Sequence, residues 1–67
     1  MKNHIKILRK SAELSQEELA KRCKVSRQTI NAIENDKYDP TLQLAFDIAN
    51  VLNTTVDELF TGGSNRK

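Results

Sequence analysis

Apolar residues recur at helical spacing along most of this chain, and their positions predict helices. A first helix is expected over about residues 3–13, where three apolar residues share one face: Ile5, Leu8 and Ala12. The clearest stripe predicts a helix over residues 42–52, and its members are Leu42, Ala45, Ile48, Ala49 and Leu52. A last short helix is expected around Val56, Leu59 and Phe60. No β-branched run alternates with the period of two that a strand requires.

Two further helices are predicted close together within residues 15–35. Ser15 is a suitable N-cap, and Glu18 three positions later can complete a capping box. The apolar face of this helix consists of Leu19, Ala20 and Cys23. Ser26 can cap a second helix only a few residues later, so a sharp turn must join the two. The predicted fold is therefore all-α, a compact bundle of five helices in which helices 2 and 3 form a helix-turn-helix.

The second helix of this pair has two chemically different sides. Ile30 and Ile33 share one side and are expected to face the first helix, whereas Arg27, Gln28 and Asn31 point away. An amide side chain can engage adenine in two places, and arginine can do the same for guanine. Taken alone, each of these residues is better explained as a solvated surface position, since polar surface residues are the norm. Together, behind two caps and a tight turn, they favour contacts with base edges.

Length and composition exclude several classes of protein. The 67 residues allow one small domain, expected at residues 1–60, followed by a flexible tail at 61–67. No apolar run is long enough to span a membrane, so we expect a cytoplasmic protein with no membrane association. The lone Cys23 is expected to be a buried thiol, and one Cys with one His, His4, cannot supply a metal site.

The net charge of +2 hides a strong asymmetry along the chain. Residues 1–37 hold nine Lys or Arg against five Asp or Glu, whereas residues 38–65 hold no basic residue and four acidic ones. The basic half also contains the predicted helix-turn-helix. A field of one sign could therefore face a polyanion from that half.

Three segments of the sequence resemble the Cro/C1-type, or XRE-like, helix-turn-helix regulators. They are LSQEELA at residues 14–20, VSRQTINAIEN at 25–35 and KYDPTLQLAFDIANVLN at 37–53. The resemblance covers about residues 3–60. It implies the lambda-repressor-like fold, with the second motif helix in the DNA major groove and the first crossing the backbone. It also implies double-stranded DNA as the partner, without catalysis, cofactor, metal or small-molecule ligand.

The resemblance also implies roles for individual residues. Base contacts fall to Arg27, Gln28 and Asn31. Contacts with the DNA backbone are expected from Gln16, Ser26, Thr29, Asn35, Lys37 and Tyr38, although Tyr38 could instead cover the core. Arg9 is expected to form a structural ion pair with Glu34. Relatives commonly place Gly at the turn position of Lys24, because that position needs a positive φ, and some place a long polar residue at Ala32.

The expected activity is transcriptional repression by a homodimer bound to a palindromic operator. Leu59 and Phe60 are the candidate dimer interface, because so short a chain has difficulty in burying both. The alternative is that both residues complete the core of the monomer. A second class of function also fits this fold, in which the protein is an antitoxin or bridging module whose main partner is another protein.

Overall fold

The computed structural model describes residues 3–60, and within them the chain forms five helices and no strand. The helices are α1 (Ile5–Ser11), α2 (Gln16–Cys23), α3 (Arg27–Glu34), α4 (Leu42–Val51) and α5 (Val56–Leu59). The predicted all-α fold is confirmed, with helices 2 and 3 separated by a short turn. The tail predicted for residues 61–67 lies outside the described residues.

Four of the five helices begin at a hydroxyl side chain. Ser15, Ser26, Thr41 and Thr55 each accept a hydrogen bond from the backbone N–H three residues later. Ser15 and Glu18 form the full predicted capping box, since the Glu18 carboxylate also accepts from the backbone N–H of Ser15 at 3.2 Å. In α1 that role passes to Asn3, whose Oδ1 accepts from the backbone N–H of Ile5 at 3.1 Å. These local bonds satisfy N–H groups that helix geometry leaves unpaired.

A residue with positive φ follows each of the first four helices, and none of the four is glycine. Lys24 was expected to adopt this conformation, and Glu13, Asp36 and Asn53 adopt it as well. In every case the following residue donates its N–H to the carbonyl five residues earlier, as Val25 does to Ala20. This is the Schellman arrangement, which satisfies the last carbonyls of a helix. The left-handed conformation costs about 1–2 kcal/mol in a residue with a Cβ, so these hydrogen bonds must offset it.

The core lies where α2 packs against α3 and α4, and where α4 packs against α5. Its fully buried side chains are Ile5, Leu19, Ile30, Ile33, Ile48 and Leu59. Backbone pairing also contributes, because the N–H of His4 donates to the carbonyl of Leu59 at 2.7 Å. That bond joins the start of α1 to the end of α5.

The structure corrects two of the predicted apolar stripes. Ala12 is exposed because α1 ends at Ser11, which leaves Ala12 beyond the helical face that carries Ile5. Leu42 is 69% exposed, and Leu44 takes its place in the core beside Ala45. Leu42 is the first residue of α4 and lies at the edge of the buried stripe, so neighbouring helices do not reach it.

Candidate nucleic-acid interface

Helix α3 is held in place by its inner side and by the turn that precedes it. Ile30 and Ile33 are buried against the rest of the core. Lys24, at φ 62°, ends α2, and Ser26 caps α3 two residues later. The left-handed residue therefore makes the sharp change of direction that a helix-turn-helix needs. The result is a short helix whose outward side chains project from a fixed backbone.

Arg27 and Gln28 lie at the N-terminal end of α3 and are exposed. Neither side chain makes a hydrogen bond to another residue within the described range 3–60. Their donors and acceptors are therefore available to a partner. The sequence analysis placed both on the outward side of this helix, and the structure has them there.

Asn31 is also exposed, but its side chain is already engaged. Its Oδ1 accepts from Gln16 Nε2 and from Asn35 Nδ2, each at 3.2 Å. Gln16, which was expected to anchor a phosphate, thus bridges the start of α2 to α3. Spacing along α3 puts Asn35 within reach of Asn31, one turn away. The contact with Gln16 depends on how the two helices pack, so no local signal could reveal it.

Tyr38 lies beside the outward side of α3. It is half exposed and lines a shallow depression of ≈290 Å³ together with Ser26, Gln28, Thr29 and Ala32. Ala32 leaves room at the bottom of this depression, which a longer side chain would fill. Of the other residues expected to contact the DNA backbone, Asn35 and Lys37 are exposed near the end of α3. The structure thus brings Tyr38 next to Gln28, a juxtaposition that the sequence analysis missed.

Ser26 and Thr29 have a structural role in α3 itself. Ser26 Oγ accepts from the backbone N–H of Thr29 at 3.1 Å, and the two hydroxyls lie 3.0 Å apart in a hydrogen bond. Either hydroxyl retains a free lone pair or proton, depending on which one donates. Only the hydroxyl that accepts in this pair keeps its proton free, so one of the two can donate to a phosphate oxygen.

An ion pair supports α3 from behind. Arg9 Nε donates to Glu34 Oε2 at 2.7 Å, and Arg9 Nη2 donates to Glu34 Oε1 at 3.2 Å. The side chains are only 9% and 2% exposed. Arg9 Nη1 also donates to the carbonyl of Leu14 at 2.9 Å, which ties α1 to the loop before α2. A bidentate pair this well hydrogen-bonded fixes the spacing of α1 and α3.

The burial of Leu59 in α5 contradicts part of the expected dimer interface. Leu59 is fully buried within the monomer, where it belongs to the hydrophobic core. It therefore has no surface to offer to a second subunit. Phe60 is only partly buried against the same core. The alternative, in which these residues complete the monomer, is correct for Leu59.

Cys23 is a free thiol in the core, 5% exposed. Burial raises the pKa of its thiol, and the charge of Asp47 acts in the same direction. The thiolate, which is the reactive form, is therefore disfavoured at neutral pH. Among the residues that the structure describes, no three His, Cys, Asp or Glu side chains gather as a metal site would require. None of the described helices is long and apolar enough to cross a membrane.

Comparison with known proteins gives a consistent result. A family model described as helix-turn-helix, HTH_3, matches residues 5–59. An uncharacterized HTH-type transcriptional regulator from Methanocaldococcus jannaschii is 52% identical over 60 residues, covering 90% of this chain and 91% of its own length. The HTH-type regulator YgzD of Bacillus subtilis is 40% identical, with coverage of 90% and 91%.

A solved structure also has the same fold. The clp gene regulator ClgR from Corynebacterium glutamicum superposes with a TM-score of 0.81 at 19% identity, over 90% of this chain and 66% of that protein. At so low an identity the likeness concerns the fold alone.

Proposed function

We propose a repressor's role for this chain, which belongs to the HTH_3 helix-turn-helix family and is a transcriptional regulator with a DNA-binding domain. The family is a DNA-binding class, and the chain is not an enzyme. In the proposed role, α3 enters the major groove of a specific operator and thereby blocks transcription. The protein would act in the cytoplasm.

The observation that carries this proposal is the state of Arg27 and Gln28. Both lie at the leading end of a capped helix and have no partner within residues 3–60. Buried Ile30 and Ile33 hold the helix from behind. A backbone that is already fixed need not be ordered on binding, and the groups of these two side chains match the acceptor and donor patterns of guanine and adenine.

Phosphate contacts are proposed around this face, from residues at the edges of the helix-turn-helix: Gln16, Ser26, Thr29, Asn35, Lys37 and Tyr38. Gln16 would contribute its backbone N–H at the start of α2, because its side-chain NH₂ group donates to Asn31 and Glu34. Lys37 is exposed just beyond α3 and can approach a phosphate as a point charge. Such contacts position the helix without selecting a sequence. The excess of basic residues within positions 1–37 acts in the same way at longer range.

The operator is proposed to be a palindrome bound by a homodimer, because a single α3 contacts few base pairs. Half-sites would then lie about 34 Å apart, one helical turn. With Leu59 in the core, Phe60 is the remaining member of the expected interface. Sedimentation of the protein with and without DNA tests this part of the proposal, since a 1:1 complex on a selected site would contradict it.

The function is tested by selecting bound duplexes from a random pool and then titrating the selected site at several salt concentrations. We expect one enriched motif with two-fold symmetry. Its affinity should fall steeply with salt, since each neutralised phosphate contributes about −0.9 to the slope of log K against log salt. Absence of binding to any duplex at low salt would refute the proposal and leave the protein-bridging role as the better explanation.

A further inference from the structure

We propose that the buried Arg9–Glu34 pair fixes the orientation of the Asn31 amide, so that Asn31 presents its NH₂ group alone to DNA. In the operator, this residue would then select guanine, the base with two acceptors at its major-groove edge, over adenine, thymine and cytosine, which offer one or none. The inference rests on the proposed function and deepens it. It also replaces the expectation that Asn31 engages adenine in two places.

The first step is the orientation of Glu34. Arg9 donates to both of its carboxylate oxygens, at 2.7 and 3.2 Å, and the Glu34 side chain is 2% exposed. A carboxylate can only accept hydrogen bonds, and a guanidinium can only donate them. Any neighbour of Glu34 Oε1 must therefore present a donor.

Gln16 is that neighbour. Its Nε2 donates to Glu34 Oε1 at 3.0 Å. The opposite orientation of the amide would place Gln16 Oε1 against a carboxylate oxygen, which is repulsive, so the direction of the Gln16 amide is fixed. The NH₂ group has a second proton, and Nε2 directs it to Asn31 Oδ1 at 3.2 Å.

The direction of the Gln16 amide in turn fixes the direction of the Asn31 amide. Its Oδ1 accepts from Gln16 and from Asn35 Nδ2, so both oxygen lone pairs are used inside the protein. Its Nδ2 has no hydrogen-bond partner within residues 3–60, and the residue is exposed. An amide that offers only donors cannot form the two-point contact with adenine, which needs a donor and an acceptor. Guanine offers the two acceptors N7 and O6 side by side, whereas thymine offers O4 alone and adenine places its N6–H₂ donor beside N7.

The experiment compares motifs selected from a random pool by the native protein and by variants. Asn31→Ala first identifies the base pair that Asn31 contacts, as the position whose preference disappears. We expect guanine there with the native protein. The double variant Gln16→Glu/Glu34→Gln reverses the chain of hydrogen bonds from Glu34 through Gln16 to Asn31. The carboxylate that it places on α2 can only accept and would draw Asn31 Nδ2 inward. Its preference at that base pair should move to adenine or cytosine, by about fivefold or more.

Thermal unfolding decides whether the reversed variant is folded. If it is not, Gln16→Met/Asn35→Ala removes both donors to Asn31 Oδ1 and leaves Arg9 and Glu34 unchanged. That variant should bind all duplexes more weakly, yet accept adenine at the Asn31 position as well as guanine. Asn50→Ala, an exposed change on α4, is the control and should leave the motif unchanged.

The outcomes separate the two proposals. If the native protein enriches no motif, the proposed function fails, and this inference fails with it. If a motif is enriched but has adenine, cytosine or thymine at the Asn31 position, only the inference is overturned. An unchanged preference in the folded variants would overturn it as well, because the base would then be selected independently of the hydrogen bonds that link Glu34, Gln16 and Asn31.

Discussion

Helices α3 and α4 begin in the same way but face the solvent with different chemistry. Ser26 and Thr41 cap them through bonds of equal length, 3.1 Å, and both helices bury an apolar stripe. The outward residues of α3 include Arg27 and Gln28, whereas α4 exposes Leu42 and Phe46, at 69% and 50%. Gln28 and Gln43 are the second residues of their helices, and both are exposed.

The comparison teaches that caps and inner stripes specify a helix, while the outward residues are free to serve a partner. It also reveals one difference on the inner side. The buried residues of α4 are all apolar, but α3 ends at the nearly buried carboxylate of Glu34. The more elaborate support therefore lies behind the helix with the more polar outward face.

The largest effect is expected from breaking that support. Glu34→Ala strands the Arg9 guanidinium in a site where it is 9% exposed, and should lower the free energy of unfolding by about 3–5 kcal/mol. Urea unfolding followed by circular dichroism measures the loss. The double variant Arg9→Met/Glu34→Leu is the control, since removing both charges avoids the stranded one. A loss in the double variant as large as in the single one would contradict this explanation.

Gln28→Ala should weaken binding to the selected operator by about 1–3 kcal/mol and relax the choice at one base pair. Its matched control is Gln43→Ala, the same residue type at the same position of α4. Neither change should alter the free energy of unfolding by more than about 0.5 kcal/mol, because both side chains are exposed. Titration of labelled operator and of random duplex distinguishes the two. Equal loss on both duplexes would exclude a base contact by Gln28.

Removing the caps should affect the two helices alike. Ser26→Ala and Thr41→Ala each delete an acceptor for a backbone N–H and should cost about 1 kcal/mol of stability. DNA binding separates them, because only Ser26 is a proposed phosphate contact. Parallel unfolding and binding curves test both statements, and equal weakening of binding by the two variants would remove Ser26 from the interface.

The smallest effect is expected on the outward side of α4. Leu42→Gln replaces a side chain that is 69% exposed, so the free energy of unfolding should change by less than about 0.5 kcal/mol. Operator affinity should also stay the same if this side of α4 has no partner. A marked loss of affinity, measured by titration and accompanied by a change in sedimentation, would place α4 in the dimer contact.

The parts of the fold that depend on local chemistry could be predicted from the sequence. Each hydroxyl cap bonds a backbone N–H three residues later, so Ser15, Ser26, Thr41 and Thr55 mark helix starts correctly. Helix ends were harder to predict. Glu13 adopts the left-handed conformation although its residue type does not favour it.

The burial of Leu59 and the orientation of Gln16 depend on tertiary packing, which local sequence patterns do not show. Periodicity cannot show that Leu59 is covered on all sides, because the cover comes from distant segments such as the one at His4. The same holds for Gln16, whose amide is oriented by a residue 18 positions away. Sequence patterns thus indicated which residues face outward, but not which of their atoms are already engaged.

The 2.7 Å bond between the N–H of His4 and the carbonyl of Leu59 brings the outermost described segments together. A short peptide joining them would add little closure entropy, so this arrangement of helices is suited to a circularly permuted or cyclised gene product. In such a protein, side-chain packing would still set the orientation of α3, whatever the order in which the helices are synthesised.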